Sequence, residues 1–227
     1  MDRIRLTAKD YISRITAQRL VIAGLLYGLP VVIFAKIASD VQEHETHHAD
    51  PQILTWLHSV STPLLDQLAV HITNAGDFPA VVIVALVAAI LLIRKGRRSE
   101  ASTLIFGVGG AVILNAVLKI YFHRPRPTLW HQIIDSSGYS FPSGHAMMSS
   151  ALAISFILIA WGTRWRYPML ILGLAYIFII GLSRMYLGVH FPTDIAAGWC
   201  VSLVWVLIVH RIVTAPKKEL QDQKPPA

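Results

Sequence analysis

The chain has 227 residues, of which 54% are hydrophobic and only 15% are charged. Soluble domains carry roughly 25% charged residues, so this composition argues against an ordinary soluble protein and against a disordered one. The net charge of +7 leaves the kind of partner open, whereas the single cysteine, Cys200, excludes an internal disulfide framework and a cysteine-based zinc site.

Apolar residues cluster in six blocks, which predict an all-α fold built as a bundle of six transmembrane helices. A membrane helix needs about 20 residues, and these blocks are continuously apolar, whereas the strands of a transmembrane barrel alternate. The first block follows a basic segment, but its apolar core is longer than that of a signal peptide, so we expect a retained helix. The predicted spans are approximately 20–38, 78–93, 101–118, 146–162, 168–183 and 195–210.

The longest link, residues 39–77, joins the first two predicted spans. Its segments 51–60 and 63–73 predict short amphipathic helices that lie on the outer face of the membrane. Residues 1–213 are predicted to form a single membrane domain. The tail 214–227 is rich in Lys, Gln and Pro and is predicted to be disordered in the cytoplasm.

The basic residues are divided unevenly between the two sides of this bundle. Fifteen of the twenty lie in the N-terminal segment, in the links 94–98 and 164–166, and in the tail. The positive-inside rule makes that side cytoplasmic and places both termini there. Basic residues on the other side indicate an outer site for an anion, and the overall charge does not predict nucleic-acid binding. The five on the outer half are Lys36, Lys119, Arg124, Arg126 and Arg184.

Three polar clusters, 119–127, 139–145 and 183–194, fall at the outer ends of the third to sixth predicted helices. Their arginines can fork onto phosphate oxygens, and a lysine acts as a compact point charge. The helix start after Pro142-Ser143-Gly144 offers free backbone N–H groups to a phosphate. Together these groups predict a phosphate-binding site.

Two histidines accompany these cations. His145 and His190 can exchange protons near neutral pH, and Asp194, four residues after His190, can hold one of its ring nitrogens. Taken singly, Lys119 and Arg184 also fit interfacial side chains that reach toward the headgroups, and His190 with Asp194 also fits a capping pair. The convergence of all three clusters on one face favours a reaction site.

The pattern Lys119-x6-Arg126-Pro127, Pro142-Ser143-Gly144-His145 and Ser183-Arg184-x5-His190-x3-Asp194 resembles the three-part signature of the phosphatidic acid phosphatase type 2 superfamily. The long apolar spans make the chain similar to the membrane lipid-phosphate phosphatases of that superfamily. The resemblance implies a phosphatase that needs no metal or other cofactor. It also implies a lipid phosphate or diphosphate substrate at the outer leaflet of the cell membrane, with undecaprenyl diphosphate slightly favoured.

The resemblance also implies a role for each signature residue. His190 would attack the phosphorus and form a phosphohistidine, Asp194 would hold its ring, and His145 would protonate the leaving oxygen and then help to activate water. The residues expected to hold the phosphoryl oxygens are Lys119, Arg126, Ser143, Gly144 and Arg184. For His123 and Arg124, contact with a second phosphate and contact with lipid headgroups stay equally open.

Three alternative functions also stay open. The first is a phosphatase for another lipid, phosphatidylglycerophosphate or phosphatidic acid. The second is a phosphotransferase that passes the phosphoryl group to a second lipid. The third is a non-catalytic transporter or scaffold with the same fold.

Two further patterns are assigned no reaction. His44, His47 and His48 lie near acidic residues, but we predict no metal site there. The run Gly107-Val-Gly109-Gly110 lies inside an apolar span with no preceding strand, so it predicts close helix packing and not a phosphate loop.

Overall fold

The computed structural model describes residues 18, 20–43, 49–130, 132–134 and 136–215, and every regular element in these ranges is helical. Most of the N-terminal basic segment, His44, His47, His48 and the tail beyond Ala215 lie outside the described residues. The helices are α1 (Leu20–Gln42, with a π-helical turn at Gly24–Gly28), α2 (Ala49–Ser59), α3 (Pro63–Asn74), α4 (Phe78–Arg94), α5 (Arg98–Phe122), α6 (Gly144–Ala160), α7 (Arg166–Tyr186) and α8 (Pro192–Thr214).

Helix lengths differ from those of the predicted spans. By length and composition, α1, α5, α7 and α8 can each cross a membrane. Helices α3 and α4 pass the same test only as a pair, which bends by 43° at the break between them. Helix α6 is apolar but has only 17 residues. The described residues therefore include four candidate spans, or five with the bent pair, and the six-span count stays a prediction.

Capping residues and prolines determine where the helices begin and end. Helix α5 ends at Phe122: the next residue, His123, has a left-handed φ of 48°, and Pro125 shortly afterwards cannot continue a helix. Helix α6 begins after Ser143, whose Oγ accepts a hydrogen bond from the Ala146 amide. At the start of α8, the Asp194 carboxylate accepts the Phe191 N–H at 2.9 Å. These breaks place polar residues at one end of the bundle.

Helix α6 lies at the centre of the bundle and contacts α4, α5, α7 and α8. Its buried side is rich in alanine and serine, which lets neighbouring helices approach closely. A Cβ atom at Gly107 would lie 2.9 Å from the Ser155 hydroxyl, and one at Gly110 would overlap the Trp205 ring. The predicted close packing at this glycine run is thus confirmed at Gly107 and Gly110. It is not seen at Gly109, where an added Cβ atom would have no neighbouring atom within 4 Å.

Large apolar side chains cover the outside of the bundle. More than half of the surface of Val32 on α1, Ile83 on α4, Ile113 on α5 and Leu172 on α7 is exposed. Soluble proteins rarely expose apolar surface over several adjacent helices, whereas hydrocarbon chains accommodate it without cost. The outer surface of the bundle therefore suits a lipid environment.

Candidate active site

A cavity of about 470 Å³ opens at one end of the bundle, which we call the site end. It is bounded by the last turns of α3, α5 and α7 and the first turns of α4 and α6, with His190 and part of the loop after α5. Residues from all three predicted clusters meet here. Its lining consists of Gly144, the apolar residues Val70, Phe78, Ile134 and Met148, and the polar residues Thr73, Asn74, Asp77, Asn115, Lys119, Arg126, Ser136, His145, Arg184 and His190.

The two ring nitrogens of His190 face different partners. Nδ1 lies 3.3 Å from Oδ2 of Asp194, and Nε2 lies 3.1 Å from Nη1 of Arg126. A guanidinium can only donate hydrogen bonds, so Nε2 must be the acceptor and the ring proton must be on Nδ1. This tautomer leaves the lone pair on Nε2, the nitrogen nearer the cavity cations.

His190 is almost fully buried, with 1% of its surface exposed. Burial, together with the positive charges of Arg184, Arg126 and Lys119, lowers the pKa of His190 well below its ordinary value of 6.5. A low pKa keeps the imidazole neutral at neutral pH. The ring therefore has the protonation state that a nitrogen nucleophile requires.

Arg126 makes four hydrogen bonds to acceptors among the described residues. Its Nη1 donates to the Val189 carbonyl at 2.8 Å and to His190, while Nε and Nη2 donate to the carbonyls of Gly138 and Ser137 at 3.1 and 3.0 Å. Burial lowers the pKa of Arg126 from its ordinary value. Arg126 thus ties the loop after α5 to His190, and an incoming phosphate would have to exchange for some of these acceptors.

Lys119 on α5 and Arg184 on α7 provide the other two cationic groups in the cavity lining. Arg184 is only 4% exposed, and its Nη1 donates to the Thr73 hydroxyl at 2.9 Å. Its Nε has no hydrogen-bond partner among the described residues. A buried guanidinium N–H without an acceptor, at the wall of a cavity, suits an anionic oxygen.

His145 lies in the first turn of α6 and faces a carboxylate that the sequence analysis did not select. Its Nε2 is 2.6 Å from Oδ1 of Asp77, at angles outside hydrogen-bond geometry. Asp77 is the residue before α4, and nothing in the sequence separates it from the other acidic residues of the link 39–77. This proximity places negative charge beside His145.

Asn115 is a second residue that sequence reasoning missed. Its amide donates to the Pro142 carbonyl at 2.9 Å and so ties α5 to the segment before α6. A Cβ atom on Gly144 would lie 3.0 Å from the Asn115 side-chain oxygen. A polar amide inside an apolar span, one turn before Lys119, was the available signal.

Ser143 does not line the cavity. Its hydroxyl caps α6, and its amide donates to the Asp194 carbonyl at 3.1 Å. Gly144, the next residue, does line the cavity. Of the two predicted phosphate contacts in this motif, only Gly144 is directly at the cavity surface.

Neither interpretation offered for Arg124 is correct. Its side chain is 9% exposed and turns inward, where Nη1 donates to Oδ1 of Asp194 at 2.6 Å. It therefore cannot face a second phosphate or a headgroup from this position. His123 is exposed and contacts the Tyr139 ring edge-on at 4.6 Å, outside the cavity lining.

Comparison with known proteins identifies the family of the chain. Residues 100–218, more than half of the chain, match the PAP2 superfamily. The chain belongs to this superfamily. The resemblance noted from the three motifs, which lie inside the matched region, is therefore confirmed.

Two relatives of this PAP2 protein are informative. Phosphatidylglycerophosphatase B of Bacillus subtilis is 28% identical over 185 residues, which are 78% of this chain and 90% of the relative. Undecaprenyl-diphosphatase of Sulfolobus acidocaldarius is 33% identical over 151 residues, which are 60% of this chain and 66% of the relative. Both relatives are named as phosphatases of a lipid phosphate or diphosphate.

A solved structure supports the fold. The transmembrane PAP2-type phosphatidylglycerolphosphate phosphatase from Bacillus subtilis superposes with a TM-score of 0.74 at 23% identity, covering 84% of this chain and 98% of that chain. At this identity the match shows the fold alone. Together with the apolar surface, it makes this PAP2 protein a multi-pass membrane protein.

Proposed function

We propose that this chain is a membrane phosphatase that hydrolyses a lipid phosphate or diphosphate, with undecaprenyl diphosphate as the first substrate to test. The main observation is the convergence of His145, His190, Lys119, Arg126 and Arg184 on one cavity at the end of an apolar bundle. A headgroup can reach this cavity while the lipid chains stay beside the helices. The names of the two relatives support the choice of candidate substrates.

In the first step, Nε2 of His190 attacks phosphorus and forms a P–N bond while the bond to the leaving oxygen breaks. His145, in its protonated form, gives its proton to that oxygen. Burial and the cavity cations lower the pKa of His145 in the empty cavity, so the negative charge of the substrate phosphate and of the nearby Asp77 carboxylate has to offset this effect for His145 to be protonated. Lys119, Arg126 and Arg184 offset the charge that develops on the phosphoryl oxygens.

In the second step, water attacks the phosphohistidine. His145, neutral after the first step, takes a proton from that water, the P–N bond breaks, and inorganic phosphate leaves. His190 recovers its lone pair and His145 its proton. The histidine supplies the nucleophile and three side chains supply the positive charge, so the proposed reaction needs no metal.

We further propose six membrane spans, with α4 and α6 included, both termini in the cytoplasm and the site end at the outer leaflet. The proposal is supported by the basic residues at the end of the bundle opposite the cavity, in the links 94–98 and 164–166. The link 39–77, which carries six acidic residues and no Lys or Arg, belongs to the site end.

Labelling of engineered cysteines is expected to confirm this orientation. Thr62, just before α3, and Ser99, in the first turn of α5, are both exposed and lie toward opposite ends of the bundle. In a Cys200→Ser background, T62C should react with a membrane-impermeant maleimide in intact cells, and S99C should react only after lysis. The reverse pattern would place the reaction on the cytoplasmic side.

The activity is tested with purified protein in detergent and a panel of undecaprenyl diphosphate, phosphatidylglycerophosphate and phosphatidic acid. Inorganic phosphate should be released from at least one of them, without an acceptor lipid and with a metal chelator present. Transfer of phosphate to an added lipid without release of free phosphate would identify a phosphotransferase. Neither release nor transfer with any substrate would favour a non-catalytic protein.

A further inference from the structure

A network of three buried charged side chains and one threonine lies next to His190. None of these four residues lines the cavity. Its members are Asp50 on α2, Arg124 in the loop after α5, and Thr193 and Asp194 in the first turn of α8. Asp50, Arg124 and Asp194 are 1%, 9% and 0% exposed. Buried charges need partners with good geometry, so the contacts among these residues determine whether the arrangement is stable.

Arg124 bridges the two carboxylates. Its Nη1 donates to Asp194 at 2.6 Å and its Nη2 donates to Asp50 at 3.1 Å. The face of its guanidinium lies 4.2 Å from the centre of the Phe191 ring. A planar fork with several donors can hold both carboxylates at once, which the compact ammonium group of a lysine does less well.

Asp50 also holds the start of α8. Its two carboxylate oxygens accept the Thr193 N–H at 3.2 Å and the Thr193 hydroxyl at 2.5 Å. The same side chain therefore fixes Arg124 and the residue next to Asp194. A carboxylate 143 residues away in sequence thus reaches the turn that carries the His190 partner.

The contact between Asp194 and His190 is the one that depends on this network. Oδ2 of Asp194 lies 3.3 Å from Nδ1 of His190, near the long end of the hydrogen-bond range. A small displacement of the carboxylate would lose that contact and with it the tautomer that leaves Nε2 free. Misplacement by about 1 Å can cost about 10²-fold in rate.

We infer that Asp50 and Arg124 are positioning residues for the nucleophile: Asp50 fixes the guanidinium of Arg124, and Arg124 fixes the carboxylate that orients His190. The inference rests on the proposed function, because it assigns these residues an effect on the His190 reaction. It makes α2, a helix outside the three signature motifs, part of the machinery that sets the rate.

The experiment compares wild type with D50N, R124K and the double variant on whichever lipid phosphate wild type hydrolyses best. Rates are expressed per folded protein, measured by gel filtration in detergent. We expect kcat to fall about 10-fold in D50N and about 10- to 100-fold in R124K. KM should change less than about twofold, because neither residue lines the cavity.

The double variant tests whether Asp50 acts through Arg124. Residues in one network are not additive, so D50N should lower kcat little further once R124K has loosened the bridge. The matched control is D66N on α3. Asp66 also accepts a hydrogen bond from a distant residue, the Tyr186 hydroxyl at 2.7 Å, but has no contact with Asp194. We expect the kcat of D66N to equal that of wild type.

The inference is overturned if wild type is active and D50N keeps the wild-type kcat, or if the effects of D50N and R124K multiply independently. A loss of folded protein with unchanged kcat per folded molecule would show a purely structural network and would also overturn it. If D50N is not recovered folded, Thr193→Val removes the hydroxyl that donates to Asp50 and accepts from Arg124. Its kcat and KM are judged in the same way. An inactive wild type would instead refute the proposed function, and the inference with it.

Discussion

Replacing His190 with alanine is expected to lower phosphate release by at least about 10⁴-fold, because the change removes the ring nitrogen that is proposed to attack phosphorus. Removing a covalent nucleophile costs more than removing a group that only assists. The fold should survive the change. Asp194 would keep its bond to Arg124 at 2.6 Å and its cap on Phe191 at 2.9 Å.

The measurement should follow the covalent intermediate as well as the product. Wild type incubated with a ³²P-labelled lipid phosphate should give an acid-labile, base-stable phosphoprotein, and His190→Ala should give none. His71→Ala is the matched control, since His71 is exposed on α3 and does not line the cavity. Undiminished turnover or labelling in His190→Ala would show that a different residue is the nucleophile.

Replacing His145 with glutamine is expected to lower hydrolysis of a lipid phosphate by about 10²- to 10⁴-fold, the usual contribution of a general acid–base group. The loss should be much smaller in the first step with p-nitrophenyl phosphate, because nitrophenolate leaves without a proton. Pre-steady-state release of nitrophenolate therefore separates protonation of the leaving group from attack by His190.

His190→Ala provides the internal comparison for this experiment. Without the nucleophile, the initial burst of leaving-group release should be lost to the same extent with the lipid phosphate and with p-nitrophenyl phosphate. If His145→Gln impairs the burst equally with both substrates, His145 acts by holding the phosphoryl group and not by protonating the leaving oxygen. The comparison therefore tests the role of His145 separately from its presence in the cavity.

Helix positions were largely predictable because a membrane helix needs a continuous apolar run, which hydropathy reports directly. The main difference between the predicted and observed helices is where each one begins and ends. The helix predicted over 101–118 runs from Arg98 to Phe122 in the structure, because polar residues near a membrane surface can continue a helix. The bend between α3 and α4 was not predictable, since α3 packs on α7 whereas α4 packs on α5 and α6.

The convergence of the three motifs on one cavity followed from sequence, since each motif lies at a helix end on the same predicted side. The directions of individual side chains could not be predicted from the sequence. Arg124 and Arg126 are two residues apart, yet one points to Asp194 and the other to His190 Nε2. The left-handed turn at His123 and the two prolines that follow set these directions, and hydropathy carries no information on them.

Asp50 and Asp77 illustrate a second limit. Both lie in the link 39–77, which carries six acidic residues and no Lys or Arg. Asp50 reaches Arg124, and Asp77 reaches His145, only after the chain folds back. Burial distinguishes Asp50 from Asp66, and proximity to His145 distinguishes Asp77. Both are properties of tertiary structure. Asn115 is different, because an amide within an apolar run was visible in the sequence.

The contact between Arg126 and Nε2 of His190 has a consequence for chemical selectivity. While the guanidinium donates to that nitrogen, its lone pair is masked, so an uncharged electrophile such as a phosphate triester or an alkylating agent meets no exposed nucleophile. An anionic phosphate competes for the same N–H groups, because a charged acceptor binds a guanidinium more strongly than an imidazole does. In the proposed reaction, reactivity is thus coupled to the charge of the incoming group, and the ester that unmasks the histidine is the one that His190 would attack.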